Sequence, residues 1–211
     1  MRIANTSFIL IIIILFYLAF PTQSSAQGWW YGAATYQVSL PLGDTKDFTN
    51  KVSWRGVGLD FRKEMNSNTT LGLYFGWNVF HERTADTIDN LEFDGNPGAI
   101  TGLQDRTINS FPIMLTGHKY FGQQGSTRLF LGLNAGGFIM KQRFEIGIRA
   151  YDKSQWQWGG APEIGAVVPV GYSTLLVINA KFYYALTGDS VAGGSANQSY
   201  LTFGVGLAWE Q

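Results

Sequence analysis

Nine residues decide the fold: Leu71-Gly72-Leu73-Tyr74-Phe75-Gly76-Trp77-Asn78-Val79. In an extended chain Leu71, Leu73, Phe75, Trp77 and Val79 point one way, while Gly72, Tyr74, Gly76 and Asn78 point the other. The same period of two recurs on both sides. Upstream, Trp30, Gly32, Ala34, Tyr36, Val38 and Leu40 alternate with Tyr31, Ala33, Thr35, Gln37 and Ser39, and Val57, Leu59 and Phe61 alternate with Gly56, Gly58 and Asp60. Downstream come Phe111 to Leu115, Leu129 to Ala135, Ile164 to Val168, Leu176 to Phe182 and Leu201 to Trp209. Eight segments emerge, each close to the roughly nine to eleven residues that a tilted membrane strand requires.

Charge decides which face meets lipid. Asp60, Arg128, Glu163 and Lys181 lie in the middle of four different segments, and all four fall on the glycine-rich, polar side. A cation on the lipid face at mid-bilayer costs about 2–4 kcal/mol, so the apolar side must face outward and the polar side a lumen. A soluble ligand-binding barrel has the opposite polarity. Arg55 breaks the rule only at a rim, where its long stem can snorkel. Trp54, Trp77, Trp156, Trp158 and Tyr184 gather at one end of the segments, and Trp29, Trp30, Phe121 and Trp209 at the other. Rings with an apolar body and a polar tip form such girdles at headgroup level.

The connections alternate in length. Short ones fall at Lys63 to Asn68, Gly122 to Ser126 and Pro169 to Ser173, and longer ones at Pro41 to Asn50, Arg83 to Asp105, Gln142 to Gln155 and Thr187 to Gln198. The expected fold is therefore all-β: an eight-stranded antiparallel up-and-down transmembrane β-barrel, with short periplasmic turns and long outer loops. Ahead of it, Arg2 precedes thirteen uncharged residues from Phe8 to Phe20, then Pro21 and the small residues Ser24-Ser25-Ala26. That layout predicts a signal peptide over residues 1–26, removed after Ala26, with residues 27–211 forming one barrel domain.

Composition removes several classes. Fifteen basic and fifteen acidic residues cancel, so no charge excess draws the chain to nucleic acid. Cysteine is absent, which excludes a disulfide framework, a thiolate nucleophile and a cysteine-ligated zinc site.

With strand pattern, export signal and loop alternation in place, the chain resembles the small outer-membrane β-barrel proteins related to the OmpA transmembrane domain. Local stretches that carry the likeness are Phe111-Pro112-Ile113, Ala161-Pro162-Glu163-Ile164-Gly165 and Lys181-Phe182-Tyr183-Tyr184. The resemblance implies residence in the outer membrane of a Gram-negative envelope and insertion by the barrel-assembly machinery.

An eight-stranded barrel is just wide enough for its own side chains to fill it. Glu163 and Lys181 are expected to face each other across the hairpin around Pro169 to Ser173. With Asp60, Arg128, Asn134 and Asn179, and with Gln37 and Tyr74 as neighbours, they form the expected structural lumen network, because buried charges must be paired. Only His81 and His118 could serve as imidazole bases, and neither has a serine on its face at triad spacing, so no catalytic residues are expected. The acidic stretch Asp86, Asp89, Glu92, Asp94 and Asp105 lacks the spacing of a calcium loop, so neither metal nor cofactor is expected. The expected function is a structural or surface barrel with a filled lumen and outer loops for contacts. The alternative is a narrow pore or small hydrophobic-solute conduit, suggested by the glycine-rich inner face. A lipid A-modifying barrel enzyme and a lipocalin-like binder are weaker readings. Expected partners are outer-membrane lipids and lipopolysaccharide, with no nucleic acid.

Overall fold

The computed structural model describes residues 30–93, 96–146, 149–186 and 197–210, with only the backbone course given for 86–93 and 96–101. The expected signal peptide, Trp29 and most of the Thr187 to Gln198 connection lie outside these residues.

Eight antiparallel strands close into a barrel in sequence order. They are β1 (Trp30–Leu42), β2 (Ser53–Asn66), β3 (Thr69–Phe93), β4 (Asn96–Phe121), β5 (Arg128–Ile146), β6 (Arg149–Pro169), β7 (Thr174–Leu186) and β8 (Gln198–Glu210). Closure leaves no strand edge in the membrane, which is what a hydrocarbon solvent demands of a sheet. Register partners lead from Gly32 through Phe61, Leu73, Leu115, Ala135, Gly160, Tyr184 and Ser199 back to β1 at Leu42, ten residues beyond the start. With a rise near 3.3 Å and strands about 4.7 Å apart, that stagger tilts the strands by about 40°. Each residue then climbs about 2.5 Å, so an apolar band of about 25 Å takes roughly ten residues per strand.

The outer wall is that band. Leu71, Leu73, Phe75 and Trp77 are exposed, as are Leu115, Leu129, Leu131, Leu133, Ile164, Ile178, Phe203, Val205 and Leu207. Asp60, Arg128, Glu163 and Lys181 are all buried. Water would not tolerate so continuous an apolar surface on a monomer, whereas lipid requires it. No helix among the described residues is long and apolar enough to cross a membrane; the crossing is made by strands.

The outer connections differ from expectation. Where a loop from Arg83 to Asp105 was expected, β3 and β4 stay paired from Arg83–Asp105 to Phe93–Asn96. Residues 142–146 and 149–155 likewise belong to β5 and β6, paired up to Ile146–Arg149. Strands of 25 and 26 residues in β3 and β4 exceed the membrane band by about fifteen. The alternation was lost in sequence because neither face meets lipid above the band, so nothing there selects apolar residues at period two. Among the described residues β2 accompanies β3 only to Gly56–Asn78, and β7 meets β6 only from Trp158–Leu186. The four strands β3 to β6 therefore rise together as a sheet beyond the barrel. The Pro41 to Asn50 connection also differs: it carries a short helix, α1 (Gly43–Phe48), with Phe48 and Thr45 turned inward and buried.

Candidate functional site

The lumen is the only place where this chain concentrates ionisable groups away from water among the described residues, and it is built in layers. At the periplasmic end, Tyr31, Tyr120, Phe130, Val167, Leu175 and Val177 pack together. The Arg62 guanidinium lies 3.9 Å above the Tyr31 ring and the Arg128 guanidinium 4.7 Å from that of Tyr120. Arg128 also pairs with Glu210 at 3.1 Å, joining β5 to the last strand. Planar cations sandwiched between rings and carboxylates fill space and satisfy charge together.

The middle layer is a chain of charges. Asp60 holds Arg62 at 3.0 Å. Arg62 donates to the Tyr120 hydroxyl at 2.6 Å and to His118 Nδ1. A guanidinium can only donate, so Nδ1 accepts and Nε2–H is left to donate to Glu163 Oε2 at 2.9 Å. Glu163 meets Lys181 at 3.3 Å, takes a hydrogen bond from Asn179 at 2.7 Å and takes another from Asn134 at 3.2 Å. Lys181 Nζ sits 3.4 Å from the centre of the Tyr74 ring. The carboxylates Asp60, Glu163 and Glu210 thus pair with the cations Arg62, Lys181 and Arg128.

The upper layer is aromatic. Tyr74 bonds Gln37 at 2.9 Å and accepts from the Tyr183 hydroxyl at 2.8 Å. Tyr183 stacks on Tyr200 at 4.6 Å, and Tyr200 shares a hydrogen bond with Ser110 at 2.9 Å. Phe80, Ile108, Phe138 and Met140 close this layer, and Phe48 of α1 lies over it. The helix is tied down on both sides. Thr45 donates to Gln198 at 3.0 Å and accepts from the Ser199 backbone at 2.9 Å, while Arg106 reaches the Phe48 carbonyl at 3.5 Å.

Of the residues expected in the lumen, Glu163, Lys181, Asn134 and Asn179 share one cluster. Asp60, expected near the periplasmic end with Arg128, joins it only through Arg62 and His118, and Arg128 lies in the periplasmic layer against Tyr120 and Glu210. Sequence reasoning missed Arg62, Tyr31, Tyr120 and Glu210. Arg62 shares the parity of Asp60 and could have been found, had its strand not been ended there. The cation–ring stacking could not, because Tyr31, Tyr120 and Arg128 come from three strands. His118 touches no hydroxyl closer than Thr116 at 3.5 Å, and both of its nitrogens are engaged in the charge chain. His81 lies outside the lumen, against Thr107 and Asp105 at 3.1 Å. Among the described residues no cluster could hold a metal; the side chains of Asp86, Asp89, Glu92 and Asp94 lie outside them.

No family model matches the chain, and no curated protein sequence is similar to it. Solved structures do match. Neisserial surface protein A superimposes with a TM-score of 0.56 at 10% identity, covering 89% of this chain and 99% of its own. A major outer membrane protein from Thermus thermophilus gives 0.51 at 11% identity, covering 87% and 99%. Identities this low speak for fold alone; the apolar band and the closed sheet speak for the solvent. The chain thus has the fold of the small eight-stranded outer-membrane β-barrels, and its surface is built for an outer-membrane bilayer.

Proposed function

We propose that this protein is a non-conducting, non-enzymatic surface barrel, with its lumen acting as the packing core and its raised sheet as the contact surface. One observation carries the reading: the interior is occupied from Tyr31 at one mouth to Phe48 at the other, with its charges paired inside. A pore needs a water-filled path whose charges face mobile ions. Here Glu163 is instead enclosed by Lys181, His118, Asn134 and Asn179. An enzyme of acyl transfer needs a nucleophile beside a base, and His118 is spent on Arg62 and Glu163. The strands β3 to β6 extend beyond the lipid band as a paired sheet, a rigid platform on which surface contacts can be built. Lipopolysaccharide and phospholipids are its constant neighbours in this reading, and the barrel-assembly machinery its partner during insertion.

Planar-bilayer recording with the refolded protein tests the proposal. A silent membrane is the expected result. Reproducible single-channel steps whose size changes in Glu163→Gln would replace this reading with the narrow-pore alternative.

A further inference from the structure

The lipid-facing wall has a notch that the chain leaves unfilled. One outward row of register partners runs Leu71, Gly117, Leu133 across β3, β4 and β5, with Leu115 one step above and Lys119 one step below on β4. A leucine stands on every apolar side of Gly117, which presents no side chain. Two other outward glycines are roofed by the protein itself: a Cβ at Gly32 would meet the Trp209 indole, and one at Gly137 the Trp156 indole. A Cβ at Gly117 would meet only Leu71 at 3.6 Å and the Thr70 carbonyl at 3.9 Å. The result is an open hollow of about 520 Å³ bordered by Met65, Leu71, Leu131 and Leu133, with Lys119 at its edge.

Lys119 sits near the periplasmic end of β4, two residues before Phe121, one of the aromatic rings that form a girdle at headgroup level. It is exposed, and among the described residues no carboxylate lies within ion-pair reach of it. The other outward lysine at this end, Lys63, lies 5.9 Å from the Trp30 ring. An unpaired ammonium above a leucine-lined slot fits an amphiphile with a phosphate head and a hydrocarbon tail.

We propose that the Gly117 notch and Lys119 form a binding site for one anionic phospholipid of the periplasmic leaflet, an acyl chain lying in the notch and the phosphate on the lysine. This rests on the membrane orientation given above and not on whether the lumen conducts.

Native mass spectrometry of the folded protein, released from mixed phosphatidylglycerol and phosphatidylcholine micelles, tests it. One retained phosphatidylglycerol per chain is expected. Lys119→Gln should lower its retention about fivefold, the effect of one lysine near a lipid surface. Gly117→Leu should displace the lipid while the barrel still shows heat-modifiable migration on gels, and Lys63→Gln should leave retention unchanged. Equal retention of both lipids, equal loss in the two lysine variants, or a protein dimer in place of bound lipid would each overturn the site. If Gly117→Leu fails to fold, the two lysine variants decide alone.

Discussion

Glu163 and Lys181 face each other across the β6–β7 ladder and meet at 3.3 Å, each about 1% exposed in its side chain. An ion pair so enclosed is worth little relative to a well-packed apolar pair, but breaking it strands a charge. Lys181→Met alone should therefore destabilise the barrel by about 3–5 kcal/mol. The double variant Glu163→Gln, Lys181→Met should recover a large part of that loss. Urea unfolding in lipid vesicles, followed by tryptophan fluorescence, measures both. A double variant as damaged as the single one would show that the pair has another role.

The lipid face predicts a dependence on depth. Leu73→Arg and Val205→Arg lie within the apolar band and should each cost about 2–4 kcal/mol of membrane folding. Tyr151→Arg, on the part of β6 beyond the band, should cost far less. The folded fraction in vesicles, read from heat-modifiable migration, gives the comparison; similar losses at all three positions contradict the assigned exterior.

Phe48 covers the aromatic layer from above. Phe48→Ala should destabilise the fold by about 3 kcal/mol and expose residues 43–50 to protease. The membrane should stay electrically silent, because Tyr74, Tyr183 and Tyr200 still fill the lumen below. Channel activity in this variant would identify α1 as a gate.

Because the chain has no cysteine, a single introduced thiol reports orientation cleanly. Tyr151→Cys should react with a membrane-impermeant maleimide on intact cells. Tyr172→Cys, in the short turn between β6 and β7, should react only after the envelope is opened. The reverse pattern would invert the barrel.

Gly58 faces the Gln37–Tyr74 hydrogen bond inside the lumen. A Cβ there would stand 2.6 Å from Gln37 Nε2 and 2.8 Å from the Tyr74 hydroxyl. Gly58→Val should therefore cost about 1–3 kcal/mol by overpacking and by parting that hydrogen bond. Thermal unfolding of the detergent-solubilised barrel checks it, and an unchanged midpoint would mean the interior is looser than its distances imply.

Sequence alone determined the strand count within the membrane, the face each strand turns to lipid and the expected opposition of Glu163 and Lys181. Those follow from a period of two under a solvent that charges heavily for ions, so Asp60, Arg128, Glu163 and Lys181 each declare the inner face without help from neighbours. Only the tertiary structure decided that β3 to β6 continue as a sheet past the membrane, that Phe48 packs onto the aromatic layer, and that Arg62 and His118 link Asp60 to Glu163. The first escapes a pattern reading because both faces of those strands lie beyond the lipid and carry no alternation. The others depend on the ten-residue stagger of the closed barrel, which sets side chains from distant strands at one height and is a property of the whole ring rather than of any strand.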